Sequence, residues 1–130
     1  MTDTPDTPNA LLIPVTGDPR PVHVLQRVPH FAVTLAELIG DNRFTALYLT
    51  RRRSLWFVTA AREADQPNRR AVELMRRHLP HASLLPVLGP AVLLGAAGPG
   101  GDVPAGLSAD QIAAGLAALR SPGTGGIPVR

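Results

Sequence analysis

The sequence contains no cysteine, no lysine and few aromatic residues. Without cysteine the chain has no disulfide, no thiolate metal site and no cysteine nucleophile. This absence is compatible with a cytoplasmic protein, which is the location we expect. All thirteen basic side chains are arginines. Together with the abundance of Ala, Gly, Pro and Leu, they are typical of a GC-rich genome, so their number alone does not indicate a phosphate-binding protein.

The chain also lacks a hydrophobic segment of the kind that targets a protein to a membrane. Residues 1–10 hold two acidic residues, two prolines and no apolar core, so they do not resemble a signal peptide. The longest uncharged stretch, residues 82–101, has about the length of a membrane span, but Pro86, Pro90 and a Gly-rich end interrupt it. We therefore expect a soluble protein without a membrane partner.

The residue patterns of common catalytic sites are absent as well. No serine lies in G-x-S-x-G, the glycines lack the spacing of a phosphate-binding loop, and H-E-x-x-H does not occur. His78 and His81 have the spacing of a metal-binding pair. A zinc site needs three or four ligands, however, and Pro80 interrupts the helix that would aim both rings. We expect no catalytic residue, no cofactor and no metal.

The segment from Arg43 to Ala61 dominates what the sequence does contain. It holds the only Trp, the only Tyr and two of the three Phe, in two apolar runs separated by the polar residues 50–54. Aromatic and β-branched residues fit a pleated sheet, and two such runs joined by a few polar residues are typical of a β-hairpin. Both faces of these strands are largely apolar, so buried strand positions explain Tyr48 and Trp56 more simply than stacking on bases does. We therefore predict a hairpin at the centre of a small sheet that is covered on both faces.

A second hairpin and a short helix are predicted before this segment. Residues 11–15 and 21–25 have the composition of strands, and their prolines place this hairpin near a sheet edge because proline donates no ladder hydrogen bond. Thr34 begins a T-x-x-E capping box, which predicts a helix that ends at Gly40. Pro29 also suits a first helical position, so an earlier start stays open.

Two helices and a strand are predicted after the central hairpin. Asn68 suits the N-cap of an amphipathic helix over residues 69–79. Residues 91–94 form an apolar run that we interpret as a closing strand. Ser108 begins an S-x-x-Q capping box, which predicts an amphipathic helix near the C-terminus.

These elements predict one α+β domain. Its sheet is small and mainly antiparallel, with two hairpins plus a closing strand, and two or three short helices pack on it. We expect the chain to divide into a disordered tail at residues 1–9, the α+β domain at 10–96, a Gly/Pro-rich linker at 97–107, an amphipathic helix at 108–120 and a disordered tail at 121–130.

Two sequence motifs accompany this order of elements. One is Pro67-Asn68-Arg69-Arg70-Ala71, and the other is the Gly-Pro-apolar-Gly sequence of residues 89–95. With them, residues 11–95 resemble the domain of unknown function family numbered 3846. The resemblance implies a small α+β unit of the kind carried by phages, plasmids and other mobile elements. It implies no activity, because neither motif is catalytic in character.

The arginine clusters are the strongest candidates for a binding site in this sequence. Residues 10–96 carry eleven arginines and six acidic residues, a formal surplus of five positive charges. β-ribbons and helices that carry arginine enter nucleic-acid grooves. Hairpin tips and the outer faces of helices are also where solvated charges lie, so a plain solvated surface stays open. The candidate residues are Arg51, Arg52 and Arg53 at the predicted hairpin tip and Arg69, Arg70, Arg76 and Arg77 on the predicted helix.

Protein contact is the other candidate role, and it is the one that the sequence favours. The apolar stripe Ile112, Leu116 and Leu119 on the C-terminal helix suits docking on a protein partner or on a second copy of the chain. Alternatively, the first helix covers one face of the protein's own sheet and the two later helices cover the other. We therefore predict a non-catalytic interaction module, with nucleic-acid binding as the alternative.

Overall fold

A computed structural model describes residues 7–26, 30–40, 43–58, 66–79, 87–96 and 104–120. Over these ranges the chain forms one five-stranded antiparallel sheet and three helices, which confirms the predicted small α+β fold. The elements in chain order are β1 (Ala10–Ile13), β2 (Arg20–Val22), α1 (His30–Ile39), β3 (Phe44–Thr50), β4 (Arg53–Val58), α2 (Arg69–His78), β5 (Leu88–Leu94) and α3 (Ala109–Arg120).

The strand order β2-β1-β5-β4-β3 puts β5 at the centre of the sheet. The β3–β4 hairpin was predicted at the centre, but β3 is an edge strand. The prediction that the first hairpin lies near an edge is confirmed: β2 is the other edge strand, β1 is next to it, and Pro21 is within β2. The reason for the difference is that the partners of β5, which are β1 and β4, are distant in sequence. No local pattern shows which strands those are.

β5 is also longer than the predicted closing strand, because it begins before the Gly89-Pro90 pair. Gly89 has a φ of +70°, and the register between β4 and β5 shifts at this point. The connection before α2 supplies the additional pairing: Pro67 forms a bridge with Leu88, and the Gly89 N–H donates to the Gln66 carbonyl at 2.8 Å. Glycine adopts positive φ without strain, so the strand bends here and continues.

Helices cover both faces of the sheet, as the apolar strand faces predicted. α1 lies on one face, where Phe31, Leu35 and Ile39 pack with alternate residues of β1 and β5. α2 and α3 lie on the other face, over a second cluster that includes Leu55 and Phe57 of β4. Alternation along each strand sends neighbouring side chains to opposite faces, which is why adjacent apolar residues enter different clusters. The helices therefore complete a three-layer core.

α1 corrects the predicted capping box. The helix begins at His30, so Thr34 lies inside it, and the Thr34 hydroxyl donates to the His30 carbonyl at 2.9 Å. The alternative start near Pro29 agrees with this boundary. The predicted C-terminus is confirmed: Gly40 has a φ of +87°, and its N–H donates to the Ala36 carbonyl at 2.7 Å. Such left-handed glycines satisfy the last carbonyls of a helix.

The predicted caps of the other two helices are confirmed. The Asn68 side chain accepts a hydrogen bond from the N–H of Ala71 at 3.1 Å. At α3 the Gln111 N–H donates to the Ser108 hydroxyl at 3.1 Å, while the Ser108 N–H donates to the Gln111 side-chain oxygen at 2.9 Å. This reciprocal pair is a capping box.

Residues 104–107 differ from the flexible linker that the sequence predicts. Pro104 is buried, and Leu107 is only 4% exposed in the core. The Gly95 N–H donates to the Ala105 carbonyl at 2.9 Å, and the Ala105 N–H donates to the Ala96 carbonyl at 2.7 Å. This short ladder attaches the chain before α3 to the end of β5. The rest of the predicted linker, residues 97–103, lies outside the described residues.

Asn9 likewise differs from its assignment to a disordered tail. Its amide donates to the Val24 carbonyl at 2.9 Å, and its side-chain oxygen accepts the Val24 N–H at 2.8 Å. Its carbonyl also accepts the Leu107 N–H at 2.8 Å. These bonds join the chain before β1 to the segment before α3. Residues 1–6 and 121–130, which make up most of the two predicted tails, lie outside the described residues.

Within the described ranges, the helices are all too short or too polar to cross a membrane. The longest is α3, with 12 residues. Part of the uncharged stretch at residues 82–101 forms β5, the central strand of the sheet.

Candidate nucleic-acid interface

The turn between β3 and β4 carries the first arginine cluster. Thr50 pairs with Arg53, so the turn itself consists of Arg51 and Arg52, and both side chains are exposed. The Thr50 hydroxyl accepts a hydrogen bond from the Arg52 N–H at 3.0 Å, which fixes the turn backbone. Arg53, the first residue of β4, is half-buried. Two guanidinium groups therefore extend from the end of the sheet into solvent.

The last turn of α2 carries the second arginine cluster. Ala71, Leu74 and Met75 are buried in the core, so the opposite side of the helix faces solvent. Arg76 and Arg77 lie there and are exposed. A helix C-terminus favours cations because its last carbonyls carry a partial negative charge. Both arginines therefore lie at the helix end where positive charge is tolerated best.

The path of α2 brings the two clusters together. Asn68 donates to the carbonyls of Ile13 and Gly89 at 2.8 and 2.9 Å, so α2 begins at the end of the sheet opposite the β3–β4 turn. Its ten residues span about 15 Å over β3, which carries its C-terminus towards that turn. His78 at this C-terminus lies close enough to Arg53 for their charges to interact.

The pKa of His78 depends on the charges at this end of the sheet. Its pKa is lowered from the ordinary value, first by partial burial and then by the positive charges of Arg53 and Arg77. Burial away from water and nearby cations both disfavour the imidazolium ion. Partial burial, followed by arginines from two different elements, therefore holds the His78 side chain towards its neutral form.

We call Arg51, Arg52, Arg53, Arg76 and Arg77 the basic end. Within the described part of the chain, no carboxylate lies within 4.0 Å of any of these five guanidinium groups. Glu73, which precedes Arg76 by one helical turn, is exposed and forms no ion pair with the described residues. Arginines that have no acidic partner among the described residues, at one end of a small domain, create a positive field that attracts polyanions.

Arg69 and Arg70 lie at the other end of α2, so the seven predicted arginines do not form one surface. Arg70 donates to the carbonyl of Gly17 and lies 3.8 Å from a carboxylate oxygen of Asp18. It thereby joins α2 to the β1–β2 turn, and Arg69 is exposed beside it. The two arginines also line a shallow cleft of about 460 Å³, with Val15, Thr16, Gly17, Gln66 and Pro67 as its other lining residues.

The predicted protein-contact residues on α3 pack inside the domain. Ile112 is 8% exposed and Leu119 is 2% exposed, and Leu116 packs against the same core cluster. Gly115, between them, lies so close to Leu11 of β1 that a Cβ atom there would be 2.6 Å from its side chain. The stripe that we expected to dock on a partner therefore covers the protein's own sheet, which is the alternative that the sequence left open.

Metal-ligating residues do not gather in the described ranges, where no group of three or more His, Cys, Asp or Glu side chains could hold an ion. His78 lies in the positive field of Arg53 and Arg77, which opposes a metal cation. His81, its possible partner in the sequence, lies outside the described residues.

One surface aromatic was not predicted as such. Tyr48 was expected to be buried, but it is 44% exposed on the edge strand. The signal in the sequence was its place near the predicted hairpin tip. That β3 is an edge strand, with no neighbour on its outer side in the described sheet, follows from strand pairing and cannot be obtained from the spacing of residues.

Comparison with protein-family models, with curated proteins and with solved structures found no match for this chain. The resemblance to the family numbered 3846 therefore stays a prediction.

Proposed function

We propose that the protein is a non-catalytic binding module whose ligand is nucleic acid, held through its phosphates at the basic end. One observation carries the proposal: the β3–β4 turn and the last turn of α2 bring their arginines to the same end of the sheet. A guanidinium group offers planar, paired donors that suit phosphate oxygens. An accessory role in a mobile element is compatible with this function, and it rests on the family resemblance alone.

The arrangement of α3 favours this proposal over protein contact. The sequence favoured a protein partner or a homo-oligomer because the stripe of Ile112, Leu116 and Leu119 needed an apolar surface to cover it. That surface is the domain's own sheet, so the stripe does not need a protein partner to cover it. The exposed arginines of the basic end have no comparable partner among the described residues.

Salt dependence is the first measurable consequence. Each phosphate that an arginine neutralises releases condensed counterions, so the logarithm of the binding constant falls with the logarithm of salt concentration. If all five arginines of the basic end contact phosphate, the slope is about −3.5 to −4.5. Affinity would then fall by about 100- to 500-fold between 50 and 200 mM salt.

The decisive test compares two double variants of equal charge. Arg51→Ala/Arg52→Ala removes two arginines from the basic end, and Arg20→Ala/Arg69→Ala removes two exposed arginines elsewhere. Both change the formal net charge from +3 to +1. Binding of labelled random-sequence DNA is measured by fluorescence anisotropy over a salt series, with single-stranded and duplex probes.

We expect the first variant to lose affinity and to reduce the salt slope by about 1.4 to 1.8, since two phosphate contacts are gone. We expect the second variant to stay close to wild type in slope. Equal losses in the two variants would mean that net charge, and not the basic end, sets the affinity. No binding by the wild-type protein at low salt would refute the proposed function.

A further inference from the structure

Tyr48 is one of two large apolar side chains that stay exposed in the described part of the chain, the other being Val33. It lies on edge strand β3, directly opposite Ser54 of β4. Alternation along the strand places it on the sheet face that α1 covers. A single exposed tyrosine is common in proteins. This one is notable for its two neighbours, the only tryptophan and the basic end.

Trp56 lies on the same face, two residues along β4 from Ser54, and is therefore a diagonal neighbour of Tyr48 at roughly 7–8 Å. Its orientation is fixed. The indole N–H donates to the Ser54 hydroxyl at 3.0 Å, and that hydroxyl donates to the Gly95 carbonyl at 2.9 Å. Phe31 of α1 meets the indole edge-on, with ring centroids 5.4 Å apart. A partly buried ring held in this way loses little freedom on binding.

The basic end continues directly from this pair. Arg51 follows Tyr48 by three residues, which is about 10 Å along an extended strand. The aromatic side chains occupy the sheet face, and the arginines occupy the turn at its end. A flexible polyanion that carries flat apolar groups would contact the aromatic side chains and the arginines at the same time.

We propose that Tyr48, next to the fixed ring of Trp56, forms an aromatic platform on which a base of single-stranded nucleic acid stacks while the basic end holds the phosphates. The inference rests on the proposed function and narrows its ligand class. Every base has a π-face, and exposed aromatic side chains on sheets are known to stack unpaired bases. In a duplex these faces are covered by neighbouring base pairs, so the platform selects against duplex.

The test uses Tyr48→Thr, with Tyr48→Phe as its matched control. Threonine keeps a high strand propensity on the exposed edge but has no ring, whereas phenylalanine keeps the ring and loses only the hydroxyl. Circular dichroism confirms that each variant is folded. Anisotropy measures the affinity of a labelled 12-nucleotide DNA, the RNA of the same sequence and the matching duplex, and quenching of Trp56 fluorescence reports contact at the platform.

We expect Tyr48→Thr to weaken binding of both single strands by about 5- to 150-fold, which is the range for one base-stacking contact. Tyr48→Phe is expected to stay within about threefold of wild type, because the stacking surface is kept. The duplex affinity and the salt slope are expected to be unchanged by Tyr48→Thr, since no phosphate contact is lost. Single strands should quench Trp56 more than the duplex does.

Two outcomes separate this inference from the proposed function. If single strands and duplex bind but Tyr48→Thr leaves single-strand affinity unchanged, the platform is refuted. Phosphate binding at the basic end is then unaffected by this result. If none of the probes binds the wild-type protein at low salt, both are refuted.

Discussion

Asn68 has two structural roles: it caps α2, and its side-chain amide bonds to two strands of the sheet. One substitution can separate them. The residue is fully buried. Its side-chain oxygen accepts the Ala71 N–H at 3.1 Å, and its amide donates to the carbonyls of Ile13 and Gly89 at 2.8 and 2.9 Å. At an ordinary N-cap, Asn→Asp is tolerated because both side chains accept and a carboxylate suits the helix N-terminus. Here Asn68→Asp places a carboxylate oxygen against two carbonyl oxygens, so we expect destabilisation.

The magnitude follows from the hydrogen bonds. Asn68→Ala loses an N-cap, which costs about 1 kcal/mol. It also leaves two carbonyls without their donor, at about 1–3 kcal/mol for each one that is buried and unsatisfied. The expected loss is about 3–7 kcal/mol of unfolding free energy, a large part of the 5–15 kcal/mol typical of a domain.

Asn68→Asp is expected to be at least as destabilising as Asn68→Ala at pH 7, because the buried carboxylate adds desolvation and repulsion. Its pKa in the folded state would be raised above the unfolded value. The variant should therefore recover part of its stability as the pH falls and the introduced carboxyl group becomes a donor.

Urea unfolding, followed by circular dichroism and by Trp56 fluorescence, measures these differences. Ser108→Ala is the matched control, since it removes an exposed cap from α3 and should cost only about 1 kcal/mol. An Asn68→Asp protein as stable as wild type at pH 7 would show that the two carbonyl contacts carry no weight and would refute the reasoning.

Three further predictions use the same unfolding assay. Thr34→Ala should change stability by less than about 0.5 kcal/mol, because the hydroxyl bonds back to its own helix and does not cap it; a loss of a full cap would restore the capping-box interpretation. Gly95→Ala should cost about 1–3 kcal/mol, because its Cβ would lie 2.8 Å from the backbone oxygen of Ala105, and a neutral result would contradict the close packing of residues 104–107. His78 has a lowered pKa in the folded state, so the unfolded state binds more protons and stability should fall as the pH drops from 7 to 5. His78→Gln should show a smaller drop over that range, and an equal drop would exclude this histidine as the cause.

The candidate interface could be predicted only in part. Arg51 and Arg52 were found from the sequence because they fall between two strand-like runs, and a turn necessarily exposes such residues. Arg76 and Arg77 were found from helical periodicity. That these four lie at the same end of the sheet, and that Arg70 lies elsewhere against the β1–β2 turn, depends on the direction in which α2 crosses the sheet.

Local patterns by themselves determined the α+β composition of this protein, the caps at Asn68 and Ser108, the glycine stop at Gly40 and the apolar stripe of α3. Each of these depends on residues within one or two turns of each other, where sterics and hydrogen bonding act directly on neighbours in the chain. Only the tertiary structure decided that β5 is central, that the α3 stripe covers the protein's own sheet, and that Tyr48 stays exposed beside the basic end. These outcomes come from pairing and packing between segments far apart in sequence. An apolar side chain specifies that it must be covered, but not by what.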